Sequence, residues 1–274
     1  MTALSKIRQA QVAGQFYPAR AEGLKEQIGG FIESQEEKID VLACMLPHAG
    51  YQYSGRVAVE TVSKINIKDK VVLLGPNHTG LGAKYSLMAS GVWQTPLGQV
   101  NIDTQLAKSI LAGSKYLEND NLAHAQEHSI EVELPILHYF RDDFEILPIT
   151  FMSDDLAALK KIGEELAEVI KNSDLKDKIL LVASSDMTHY ESQSDAETKD
   201  KKAIAAILEL NPDKLMHEIK YFNISMCGYA PVITMLSAVN CLGAKKARLV
   251  KYQTSADSTG DKSAVVGYAG IIIN

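Results

Sequence analysis

The chain has 274 residues, 46% of them hydrophobic and 23% charged, and carries a net charge of -6. This suits one α/β domain whose core needs no staple. The acidic balance argues against a nucleic-acid partner, and no run approaches the roughly 18 apolar residues a membrane span needs. Three cysteines at irregular spacing make no disulfide framework, and the opening stretch from Met1 to Arg8 lacks the apolar centre of a signal peptide. A soluble, cytoplasmic protein is expected.

Residues 1–20 read as an irregular lead containing Phe16-Tyr17-Pro18, followed by a helix over about 22–36. The apolar run 41–46 reads as a buried strand. It leads into Pro47-His48-Ala49-Gly50-Tyr51-Gln52-Tyr53-Ser54-Gly55 and then a helix over 55–65. Strand 71–74 ends in Gly75-Pro-Asn-His78, and strand-like pieces 85–90 and 98–102 surround Trp93 and Pro96. Helices are expected at 103–113 and 127–140, with a strand at 144–151 between the second of these and an amphipathic helix over 154–172 capped by Ser153. Strand 179–183 runs into Ser184-Ser185-Asp186-Met187-Thr188-His189. Helices near 195–209, 212–220 and 229–241 precede strands at 248–254 and 264–273. There is no repeat, low-complexity tract or linker, so residues 1–274 are expected to form a single α/β domain with a mixed central sheet flanked by helices.

Three of these strands end in His48, in His78 and in the pair Asp186/His189. Ligands of open α/β sheets bind where strand carboxyl ends meet helix amino termini, so these side chains can share one rim. Neutral imidazole is a common ligand for zinc, iron and copper. Any one of these histidines alone reads more readily as an ordinary turn histidine, whereas the set does not. Cys227, directly before the helix at 229, lies where a helix dipole favours a thiolate, which suits a metal ligand or a nucleophile. Cys44 and Cys241 lie inside apolar runs and read as inert core residues.

His124-Ala-Gln-Glu127-His128 fits the H-x-x-E-H pattern, in which two histidines on one helical face bind zinc with the glutamate as base. The alternatives are a solvated helix face made by Glu127, Glu131 and Glu133, or delivery of Glu127 and His128 to the rim as acid/base groups. Ser184, Ser185, Asp186 and His189 invite comparison with a serine hydrolase. However, no G-x-S-x-G elbow is present and the groups lie too close in sequence for a triad. No phosphate-binding glycine loop is found.

Taken in order, Pro47-His48-Ala49-Gly50-Tyr51 with Tyr53-Ser54-Gly55, Gly75-Pro-Asn-His78, Glu127-His-Ser-Ile-Glu131 with Leu134-Pro135, Ser184-Ser-Asp186 with His189-Tyr190, and Cys227-Gly228 resemble the motifs of the Memo family. That family includes microbial proteins called AmmeMemoRadiSam system protein B. Gly14-Gln-Phe-Tyr-Pro18 and Val266-Gly-Tyr-Ala269 extend the likeness to nearly the whole chain. The resemblance implies a fold similar to class III extradiol ring-cleavage dioxygenases and a metal site at His48, His78 and Cys227. It further implies Asp186, His189 and His128 as catalytic pocket residues. A cysteine then stands where the ring-cleaving enzymes use a carboxylate, which softens the site toward copper or zinc as well as iron.

Two functions follow as expectations. One is metal-dependent redox chemistry with iron or copper, or alternatively zinc, in which His189, oriented by Asp186, moves a proton and Tyr51 and Tyr53 line the pocket. The other is a non-catalytic pocket that holds a metal, a small molecule or a peptide and acts through a protein partner. The family's association with radical-SAM proteins suggests such a partner.

Overall fold

The computed structural model describes residues 7–33, 37–175 and 177–274. In chain order the elements are β1 (Ile7–Arg8), α1 (Ala21–Gly30), β2 (Ala43–Leu46), α2 (Tyr51–Val62), β3 (Lys70–Pro76), β4 (Tyr85–Leu87), β5 (Val92–Thr95) and β6 (Gly98–Asn101). There follow α3 (Thr104–Gly113), β7 (Glu118–Asn119), α4 (Glu133–Phe140), β8 (Glu145–Phe151), α5 (Leu156–Lys171), β9 (Ile179–Ser184) and β10 (His189–Glu191). The remainder is α6 (Gln193–Leu208), α7 (Pro212–Tyr221), α8 (Tyr229–Leu242), β11 (Ala247–Thr254), α9 (Ala256–Thr259) and β12 (Val265–Ile273).

The central nine-stranded sheet runs β10-β12-β2-β9-β3-β8-β4-β7, with β11 also paired to β12. Its middle strands β2, β9, β3 and β8 are parallel, while β12 and β4 join antiparallel on either side. The sheet is therefore mixed. The parallel strands are buried almost throughout, which explains why the sequence shows them as continuous apolar runs rather than alternating ones. Helix α8 packs on β9 and β3 and is backed by α5, whose Leu159, Ile162, Leu166 and Ile170 form one apolar stripe. Helix α2 packs against β2, β11, β12 and α4.

Several expected boundaries move, each for a local reason. Asp155, not Ser153, caps α5, because its carboxylate accepts from Ala158 N–H, whereas the Ser153 hydroxyl is engaged by Tyr85. Helix α2 begins at Tyr51, so both Tyr51 and Tyr53 lie in its first turn. The expected helix at 127–140 starts only at Glu133, because the Glu127 carboxylate bonds N–H groups of His128 and Ser129 and holds that stretch in turns. Helix α1 ends at Gly30, and residues 34–36 of the expected span lie outside the described ones. The lead is not wholly irregular, since β1 joins β5 and β6 in a separate three-stranded sheet that carries Trp93. Among the described residues no helix is long and apolar enough to cross a membrane.

Candidate metal centre

Strands β2, β9 and β3 lie side by side in register, Leu46 opposite Ser184 and Ala183 opposite Leu74, so the residues that follow them emerge on one rim. His48 follows β2, Asp186 follows β9 and His78 follows β3. Two helix amino termini reach the same rim: α2, through Gly50, and α8, through its N-cap Gly228, which follows Cys227. Although 179 residues separate them, Cys227 Sγ sits 3.3 Å from His48 Nε2. Ligand atoms of His48, His78 and Cys227 all lie within 4.8 Å of one another. A second group, His78, Glu127 and His128, meets the same criterion and shares His78 with the first. The His78 and His128 rings stack at 4.8 Å, and His48 meets each of them edge-on.

The tautomer of each of these two imidazoles, His48 and His78, is fixed by its other nitrogen. His48 Nδ1 lies 2.7 Å from Ser184 Oγ, which is itself 2.8 Å from both the Ser129 carbonyl and Glu133 Oε1. The serine has one proton, and the carbonyl can only accept it. Oγ is therefore free to accept from His48 Nδ1–H, leaving the Nε2 lone pair facing Cys227. His78 Nδ1 donates to Glu127 Oε1 at 2.9 Å, which likewise frees its Nε2. Burial would push the Glu127 carboxyl upward, but bonds from His78 and from the Ser129 and His78 N–H groups outweigh it and hold it at about 2, so this anchor is ionised.

Burial, with the nearby Asp186 charge, pushes the Cys227 thiol far up, and burial pushes the His48 imidazole far down. In the chain alone the pair is therefore a neutral thiol beside a neutral imidazole. A cation changes that balance, since a coordinating thiol gives up its proton outright. Two Nε2 lone pairs with locked tautomers and a sulfur that already accepts from Asp186 N–H at 3.3 Å form a donor set that fits a transition metal.

The other expected site residues divide. Asp186 and His189 both line the cleft of about 610 Å³ that opens from the histidines, together with His128 and Tyr53. Asp186 does not orient His189, however. Its Oδ1 accepts from His48 N–H at 2.8 Å, and burial raises its carboxyl to about 6. His189 is instead held by Ser225, whose carbonyl accepts from Nδ1 at 2.9 Å and whose hydroxyl accepts from the His189 N–H at 2.7 Å. Tyr51 does not line the pocket either. It is 1% exposed, and its hydroxyl donates to the Val132 carbonyl, because the first turn of α2 points it inward.

The H-x-x-E-H pattern does not form a helical zinc site. His124 is buried against Trp93, its Nε2 lies 3.3 Å from the Ser86 carbonyl, and it belongs to neither candidate group. Nor are Glu127, Glu131 and Glu133 a solvated face, for none is more than 1% exposed. Ser185 bonds Gly228 N–H and serves the backbone rather than a hydrolytic triad. Cys44 is buried as expected, whereas Cys241 lies exposed in the last turn of α8.

The sequence suggests other roles for Ser184 and Glu133 and none for Ser225, and the supporting role of all three is not legible there because it depends on contacts spanning 36 to 136 residues. Glu133 makes a testable statement about pH. Burial raises its carboxyl well above 4.5, so the folded chain keeps a proton that the unfolded chain releases as pH passes that value. Stability from this group is full below the unfolded pKa and falls as pH rises toward the folded one. Glu133→Gln should flatten that slope, with stability near wild type at about pH 4 and above it at about pH 8. Urea titrations at both values check this, and parallel curves for the two proteins would mean that Glu133 titrates normally.

A family model described as Memo-like protein matches residues 8–272. A MEMO1 family protein of Aquifex aeolicus is 43% identical, covering 97% of this chain and 99% of its own. One from Methanosarcina mazei is 42% identical over 98% and 99%, and one from Methanopyrus kandleri 39% over 97% and 98%. Among solved structures, an uncharacterized protein from Escherichia coli K12 shares the fold with a TM-score of 0.59 at 13% identity, covering 85% of this chain and 99% of that one.

Proposed function

Since the chain belongs to the Memo family, we propose that it uses His48, His78 and Cys227 to hold a redox metal for chemistry on a small molecule bound in the adjoining dioxygenase-like cleft. The observation that carries this reading is the convergence of the three donor atoms within 4.8 Å, with both imidazoles anchored through their far nitrogens. Iron or copper bound there would supply electron-transfer chemistry, and a mixed nitrogen–sulfur set suits either.

The remaining work belongs to the chain. Ser184 and Glu127 keep the imidazole lone pairs aimed inward. His189, with Nδ1 held by the Ser225 carbonyl, has Nε2 left to give or take a proton. Asp186, raised to about 6 by burial, offers a second exchangeable proton near neutral pH. Phe16 and Tyr53 wall the cleft and exclude water from one side.

Metal analysis of protein purified without oxygen tests the reading. Wild type should carry near-stoichiometric iron or copper. His48→Ala and Cys227→Ala should each lose it, and His124→Ala should retain it. Wild-type protein that arrives empty and refuses added Fe(II), Cu(I) and Zn(II) would sink the metal reading and leave a cleft that binds without an ion.

A further inference from the structure

The Val266-Gly-Tyr-Ala269 stretch plays no part in the metal site, yet it supplies one wall of the cleft. Tyr268 sits on β12 opposite Gln253 of β11, and the neighbouring Gly267 exchanges backbone hydrogen bonds with Met187 and Thr188, in the loop between Asp186 and His189. Its place is thus fixed on both sides. The residue is 2% exposed and lines the cleft. Among the described residues its hydroxyl meets no hydrogen-bond partner, although Asp186, Tyr53 and Tyr190 lie within electrostatic reach. Every other tyrosine buried to this degree has one: Tyr17 donates to Glu131 and Tyr51 to Val132. The hydroxyl is not sealed among protein atoms, so its unused hydrogen-bonding capacity is open to the cleft, where an occupant can take it up.

The rest of the wall narrows what that occupant is. Phe16, Tyr53 and Tyr190 offer flat apolar surface, and Asp186 and Asp261 supply negative charge. No lysine or arginine lines the cleft among the described residues, and Lys262, although next to Asp261 in sequence, is not part of the wall. The amino end of α2 offers no free anion site, because Asp186 already accepts from the His48 and Ala49 N–H groups there. An anionic ligand would lose its hydration and meet like charge without a cation to replace it. Burial also keeps the Tyr268 hydroxyl protonated, so it can only donate to such an occupant or accept from it as a neutral group.

From this juxtaposition we infer that Tyr268 is a substrate-binding residue that donates its hydroxyl proton to an acceptor oxygen on an uncharged, flat, largely apolar molecule, and that the metal-free cleft rejects anions of the same shape. The inference needs no bound ion, so it stands or falls separately from the metal analysis.

Three probes built on one fluorophenyl ring, two of them of one shape, test it by fluorine NMR titration of the full chain, stripped of metal by a chelator so that no oxygen is drawn to an ion. They are 4-fluorobenzamide, 4-fluorobenzoate and fluorobenzene. The amide should bind wild type, and the benzoate should bind at least about tenfold more weakly. Tyr268→Phe should weaken the amide about fivefold, as the loss of one neutral hydrogen bond does, and leave fluorobenzene unchanged. The same substitution should leave the unfolding midpoint at or above wild type, since it removes a hydroxyl with no internal partner. An amide that does not bind up to its solubility limit, equal binding of amide and benzoate, an amide affinity indifferent to Tyr268→Phe, or a clear loss of stability in that variant would each overturn the inference.

Discussion

Glu131→Ala is expected to cost about 3–5 kcal/mol of folding stability, the range for removing one partner of a buried ion pair. Glu131 is 1% exposed, and its two oxygens accept from Arg8 Nη1, the Gln11 and Val12 N–H groups and the Tyr17 hydroxyl. Arg8, itself 7% exposed over the Trp93 ring, also donates to the His124 and Glu127 carbonyls. One carboxylate therefore fastens the lead of the chain to the segment that carries Glu127 and His128. The substitution leaves a buried guanidinium without its counter-charge and strands three further donors. Glu33→Ala provides the contrast. Its partners Arg56 and Lys251 hold a carboxylate 42% exposed, and the loss should stay below about 1 kcal/mol. Chemical denaturation of both variants decides the matter, and a cost below about 1 kcal/mol for Glu131→Ala would show that the lead is held by something else.

A second substitution acts on the site through space alone. A Cβ at Gly228 would lie 2.2 Å from the Ser184 carbonyl oxygen and 2.5 Å from Ser185 Cβ. Its backbone angles are accessible to any residue, so it is the close approach of α8 to β9 that demands glycine. Gly228→Ala must push the start of α8 away, at a cost of about 1–3 kcal/mol or more for an overpacked contact. Because Cys227 is the preceding residue, the variant should also lose metal while its three proposed ligands remain present. Gly243→Ala is the control: its φ of +93° brings strain, but nothing lies within 4 Å of the added carbon, so it should cost about 1 kcal/mol and retain metal. A Gly228→Ala protein with wild-type stability and metal content would refute the close approach.

What the sequence made legible follows from what is local. Buried parallel strands announce themselves as apolar runs, and three of those runs are followed within two to four residues by a visible histidine or aspartate, His48, His78 and Asp186. The rim and most of its occupants could therefore be read without coordinates. Cys227 was legible from its position only as a residue at the start of a helix, and as a metal ligand only through the family resemblance, whereas its 3.3 Å approach to His48 is a tertiary fact. The failures share one cause. Tyr51 and His124 have the right chemistry next to the right motifs, but a turn of helix and a buried loop aim them into the core. The helix expected from 127 was displaced by a glutamate that captures backbone N–H groups for the sake of His78, a preference no periodicity reveals. Tyr268 lay in a stretch singled out for its pattern, but the role inferred for it rests on its missing partner, and an absence of contact has no signature in a sequence.

The 179-residue interval between His48 and Cys227 bears on how such a centre comes into being. Closing a loop of that size carries an entropy that local order does not repay in advance. A nascent chain that has emerged only as far as α7 owns both imidazoles and lacks the sulfur. A peptide around Cys227 owns the sulfur and lacks the rim. Neither fragment is a weaker version of the centre. The trio cannot be lifted out as a portable motif, and it exists as a chemical object only once the sheet has closed around it.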